Sequence, residues 1–117
     1  MAFSSFEDLE VWKRACNLAV TVFQTVKHSK EYGLRNQMQR AAVSIASNIA
    51  EGAERPPKDF VRFLRIAKGS AAELRTQTYI AGKVGVTTPE QMTQIVEETK
   101  GIARMLTGLA RSLKTEN

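Results

Sequence analysis

An all-α fold, an antiparallel up-down-up-down four-helix bundle, is what this sequence predicts, and three observations predict it. Apolar residues recur at alternating steps of three and four along nearly the whole chain, the period of amphipathic helices. Strict alternation of apolar and polar residues, the mark of a half-buried strand, is absent. Glycine- and proline-marked breaks divide the chain into four segments joined by short loops, and short loops make consecutive helices antiparallel neighbours. At 117 residues and 13.0 kDa, residues 1–117 form one domain.

Ser4 and Glu7 have capping-box spacing and place the start of the first helix. Leu9, Trp12, Cys16, Ala19, Phe23 and Val26 follow as an a/d stripe, with Val11, Ala15, Leu18 and Val22 as a second stripe on a neighbouring face. Two stripes are more apolar surface than a helix with one neighbour needs. Residues 28–33, from His28 to Gly33, form a loop. The second helix turns Leu34, Met38, Ala41, Ile45 and Ile49 inward with Ala42 and Ala46 beside them, and Arg40, Ser44, Ser47 and Glu51 outward. Arg55-Pro56-Pro57 marks the next turn, because proline ends one helix and suits the first turn of another.

The third helix buries Phe60, Phe63, Leu64, Ala67, Ala71 and Leu74 and sets Lys58, Arg62 and Arg65 on the far side. Gly82, Gly85 and Thr87-Thr88-Pro89 end it. Thr88 is the expected N-cap of the fourth helix, Pro89 its first residue and Gln91 the partner that completes a capping box. Met92, Ile95, Thr99, Ile102, Leu106, Leu109 and Leu113 then form its core stripe. Gly101 and Gly108 each weaken this helix by about 1 kcal/mol relative to alanine, which is tolerable where a neighbour approaches closely. Residues 114–117 are expected to fray.

Lys and Arg number 17 against 12 Asp and Glu, a net charge of +5. Such a basic balance fits nucleic acid, an anionic surface or simple solubility. Most of it lies in residues 30–75, where Lys30, Arg35, Arg40, Arg55, Lys58, Arg62, Arg65, Lys68 and Arg75 stand against Glu31, Glu51, Glu54, Asp59 and Glu73. Arginine predominates there and suits bidentate phosphate contacts. Tyr32 and Tyr79 stand isolated in the sequence and form no stacking platform, so nucleic-acid binding would be directed at the backbone, with little sequence preference. A single Cys and a single His exclude a disulfide framework and a Cys/His zinc site within one chain. An N-terminus holding Glu7, Asp8 and Glu10, without a basic start or apolar run, lacks an export signal, and no stretch approaches the roughly 20 apolar residues of a membrane span. A cytoplasmic location is the expectation.

The centre of the chain carries the motif Gln37-Met38-Gln39-Arg40-Ala41-Ala42-Val43-Ser44-Ile45-Ala46-Ser47-Asn48-Ile49-Ala50-Glu51-Gly52, followed by Arg55. Together with Phe63-Leu64-Arg65-Ile66-Ala67-Lys68-Gly69-Ser70-Ala71-Ala72-Glu73-Leu74 and the opening Asp8-Leu9-Glu10-Val11-Trp12, it resembles the hallmarks of the four-helix-bundle 23S rRNA intervening-sequence protein family, over about Phe6 to Leu113. His28-Ser29 stands where members commonly carry an aromatic-proline pair. A related protein, the accessory variability determinant of diversity-generating retroelements, forms a basic pentameric barrel that binds nucleic acid and a reverse transcriptase. The resemblance implies a homopentamer, no enzymatic activity or cofactor, and RNA, DNA or a nucleic-acid enzyme such as a reverse transcriptase as partners.

No catalytic constellation stands out. Ser44, Asn48, Glu51, Gly52, Arg55 and Glu73 are the hallmark polar and glycine positions. A serine without a neighbouring base is a poor nucleophile, and His28 lies in a loop far along the chain. Asn48 and Glu51 are instead expected to pair with Arg55 and fix the turn. Glu51, Glu54 and Asp59 lack the Glu-x-x-His pattern of a di-iron bundle. Cys16 and Trp12 belong to the apolar stripe. Arg40, Arg55, Lys58, Arg62 and Arg65 are the candidate phosphate contacts of a basic oligomeric scaffold. The alternative is a protein-interaction or structural oligomer whose charge serves solubility.

Overall fold

The computed structural model describes residues 5–116, with side chains as far as Lys114. Four helices follow one another, α1 (Glu10–Val26), α2 (Tyr32–Ala53), α3 (Pro57–Lys83) and α4 (Pro89–Glu116), and the described residues hold no strand. The bundle measures 46 × 19 × 18 Å. Its length is that of α4, whose 28 residues span about 42 Å at 1.5 Å per residue. Each helix packs on the next and α1 closes the ring on α4, whereas the diagonal pairs α1/α3 and α2/α4 make no close backbone approach. The residues between α2 and α3 pair in opposite order, Ser44 with Ser70 and Gly52 with Phe63, so these neighbours are antiparallel.

The core is the inward stripe of each helix. Met38, Ile45 and Ile49 of α2, Leu64 and Leu74 of α3, and Ile95, Ile102 and Leu106 of α4 are all but fully enclosed. Each such side chain contributes about 1.5–3 kcal/mol of burial. On α1 the order of the two stripes is reversed from expectation. Val11, Ala15, Leu18 and Val22 lie in the core with Leu9 and Val26, while Trp12, Cys16 and Ala19 are half-buried and Phe23 is 42% exposed. Trp12 turns edge-on to Phe6, ring centroids 5.1 Å apart. A period of three and four defines two candidate faces on so apolar a helix, and only the neighbours decide which one is buried.

The helix ends follow their local chemistry. Ser4 lies outside the described residues, and Ser5 instead caps a short 3-10 helix, Phe6–Asp8, by accepting the Glu7 N–H. α1 itself begins only at Glu10, after extended Leu9. α2 starts at Tyr32, so Gly33 belongs to its first turn rather than to the loop. The loop at residues 27–31 is held by the Ser29 hydroxyl, which accepts the Glu31 N–H at 3.1 Å. The Val86 N–H bonds the Ala81 carbonyl across Gly85, whose φ of +81° is open to glycine, a Schellman closure of α3. Thr88 and Gln91 form the expected reciprocal capping box, at 2.9 and 3.1 Å. α4 continues to Glu116, beyond the point where fraying is expected.

One long-range ion pair ties α1 to α4. Arg14 donates to both Glu98 oxygens, at 3.0 and 2.9 Å, and reaches the Met105 sulfur at 3.5 Å. Its guanidinium lies across Gly101, where any Cβ would collide with it. The hydrogen bonds from Arg14 hold the Glu98 carboxyl below its usual pKa, against the opposing effect of burial and with the help of the opposite charge. A lowered folded-state pKa means that the unfolded chain binds the proton more readily. The pair therefore stabilises the fold above the ordinary carboxylate range, and that contribution disappears as pH falls through the lowered value. Thermal melts from neutral to acid pH should show this loss, and Glu98→Gln should remove its share of the slope. Both side chains are 38% exposed, which keeps the effect modest.

Candidate nucleic-acid interface

The hallmark polar residues separate into two places, the α2–α3 groove and the turn after α2. Ser44 on α2 meets Ser70 on α3, hydroxyl oxygens 2.9 Å apart, and Asn48 donates to both the Ser44 carbonyl and its hydroxyl, at 2.8 and 3.0 Å. Asn48 thus joins the α2–α3 interface one turn short of the turn it was expected to hold. At that turn Glu51 alone pairs with Arg55, at 3.3 Å. The Arg55 and Arg62 guanidinium groups both lie over the Phe63 ring, 4.9 and 4.7 Å from its centroid. The ring faces stabilise cations placed over them, so the two arginines are held at the α2–α3 corner. Glu73 lies in the same groove between α2 and α3 as Ser44, beside Gln37, Arg40 and Ala41.

Gly52 is the packing device of the corner. A Cβ there would stand 2.5 Å from the Phe63 Cβ and 3.0 Å from Phe60, so the backbone of α2 ends packed directly on two phenylalanine side chains of α3. His28 is exposed in the first loop, remote in the chain from Ser44. The described residues contain no group of three or more His, Cys, Asp or Glu able to hold a metal. Burial pushes the Cys16 thiol pKa up, away from the thiolate form.

The cations form a more extended feature. Lys58, Arg62 and Arg65 share a depression with Asp59 and with Lys114 of α4. Arg65 and Lys68 then meet Arg111 and Lys114 over a floor of Leu64, Leu106 and Ala110. Further along, Lys68 and Arg75 meet Lys100, Arg104 and Arg111 around a hollow of about 460 Å³. Because adjoining hollows share residues, the three make one seam between α3 and α4. Its pairings, Lys58 with Lys114 at one end and Arg75 with Lys100 at the other, run in opposite order and make α3 and α4 antiparallel.

Of the five candidate phosphate contacts, Lys58, Arg62 and Arg65 lie on this seam and Arg55 adjoins it through Phe63. Arg40 does not, since it faces the α2 side of the bundle with Phe23, Gln39 and Val43. The charge excess of residues 30–75 does not include the α4 row, although Lys100, Arg104, Thr107, Arg111 and Lys114 follow steps of four and three as plainly as any core stripe. Acids remain nearby, Asp59 at one end and Glu97 bound to Lys100 at 3.5 Å.

No helix among the described residues is long and apolar enough to cross a membrane. No curated protein matches the chain. A solved structure of a protein of unknown function from the S23 ribosomal protein family of Bacteroides thetaiotaomicron is similar, with a TM-score of 0.80 and 25% identity, covering 86% of this chain and 97% of that one. The profile of the 23S rRNA-intervening sequence proteins matches residues 7–108. With both hallmark motifs inside that span and four helices packed in a ring, the chain belongs to the 23S rRNA-intervening sequence protein family.

Proposed function

We propose that this protein is a non-enzymatic, basic, self-associating scaffold that binds RNA or DNA through phosphate contacts with little sequence preference. The observation that carries this is the two-sided basic seam, in which cations from α3 and α4 face one groove. A polyanion laid there would release counterions from both rows at once, which favours binding at low salt. Self-association is supported by apolar side chains that the bundle leaves outside, Val20, Phe23 and Val43 on α1 and α2. A pentamer rests on the family resemblance, and the same resemblance makes a nucleic-acid enzyme such as a reverse transcriptase a partner to test.

Light scattering at micromolar concentration should give several times the 13.0 kDa chain mass. A gel-shift titration with structured RNA and with duplex DNA should show binding at low salt that weakens steeply at moderate salt. A clean monomer would remove the assembly from the proposal. An absence of any shift at low salt would leave a protein-interaction or structural oligomer, for which the exposed apolar residues of α1 and α2 would be the contact surface.

A further inference from the structure

We infer that the seam is built for a single strand of nucleic acid rather than a duplex, with a base stacked on Tyr79 at its end. The inference rests on the phosphate-binding function proposed above and adds the class of ligand.

The first argument is the shape of the charge. Lys58 to Arg75 extends for about 26 Å along α3, straight, with the α4 row beside it at a helix spacing of about 8–10 Å. A duplex strand winds through one turn in about 34–36 Å, so over that length it leaves a straight row after a few phosphates. A single strand has no such obligation. It can lie along the whole groove and meet cations on both sides.

The second argument is Tyr79. Lys58, Arg65, Ala72 and Tyr79 are seven residues apart, which returns them to one face of α3, and Arg75 precedes Tyr79 by one turn. The tyrosine is 43% exposed. Isolated in the sequence, it therefore stands in line with the phosphate row in space. An aromatic surface at the end of a basic track offers stacking to an unpaired base, which a single strand presents and a duplex keeps within its own stack. Tyr32 is placed differently, at the start of α2 with Arg35 over its ring at 4.9 Å.

Fluorescence anisotropy tests this with labelled single strands of about 12 nucleotides, a length within the usual site size, as DNA and as RNA, and with the same sequence as duplex. Light scattering and circular dichroism would confirm unchanged assembly and fold in each variant. Wild type should bind the single strands more tightly than the duplex. Tyr79→Ala should weaken single-strand binding by about five-fold or more, leave duplex binding unchanged, and be rescued by Tyr79→Phe. Equal or tighter duplex binding, an unaltered Tyr79→Ala variant, or an equal loss on both ligands would overturn the inference while the phosphate-binding function stood. Failure of every oligonucleotide to bind at low salt would instead remove that function, and the inference with it. The DNA and RNA arms identify which strand the seam prefers.

Discussion

Replacing Arg62 and Arg65 together by glutamate should weaken nucleic-acid binding by a factor on the order of 100, leaving the helical spectrum and assembly intact. Two charge-assisted contacts at about 1.5 kcal/mol each give about 3 kcal/mol, which is that factor, and the new negative charges add repulsion. Both residues are exposed on α3, so the core does not feel the change. The fold loses only the Arg62 contact with Phe63, and the Arg55 guanidinium remains over the ring. Arg40→Glu is the matched control. It also reverses an exposed charge, but on the α2 side of the bundle, and should leave binding within about two-fold, in keeping with the screening of distant exposed charges. Loss of binding in that control as large as in the double variant would place the site elsewhere.

Glycine substitutions in two helices should have opposite signs. Gly52→Val should lower stability by about 3 kcal/mol, the upper end of ordinary overpacking. The Phe63 Cβ that the new side chain meets is fixed to the backbone and cannot rotate away, so the end of α2 must part from α3. In a chain of this size that loss lowers the melting temperature by roughly 12 °C. Gly108→Ala meets nothing within 4 Å and should gain up to about 1 kcal/mol from helix propensity. Differential scanning calorimetry on the two variants reads both effects. Gly101 differs from Gly52, since a Cβ there meets only the guanidinium end of the flexible Arg14 side chain, which can move aside at the expense of its pairing with Glu98.

Local signals were legible wherever the chain alone determines the outcome. The Thr88–Gln91 capping box, Pro57 at the start of α3 and the inward stripe of α2 depend on residues only a few positions apart, and they stand where the spacing puts them. What the sequence did not disclose depends on a second helix. The choice between the two stripes of α1 is made by α2 and α4. The partner of Arg14 lies 84 residues away, at Glu98. Asn48 and Glu51 are one turn apart, yet only Glu51 reaches Arg55, because Asn48 finds Ser44 closer. The basic seam is half legible for the same reason. Its α3 row is visible as a charge excess, but its meaning changes once α4 lays Lys100, Arg104, Arg111 and Lys114 opposite. Tyr79 is solitary in the chain and becomes the end of a row only when α3 is folded.

The most direct test of the seam is an NMR titration of the arginine side-chain Nε–Hε resonances with a short oligonucleotide at low salt. Phosphates bound between α3 and α4 should move the Arg62, Arg65, Arg75 and Arg104 signals together and leave those of Arg14, locked to Glu98, and Arg40 in place. Movement of Arg40 with the seam arginines silent, or no movement at all, would contradict a nucleic-acid site between α3 and α4.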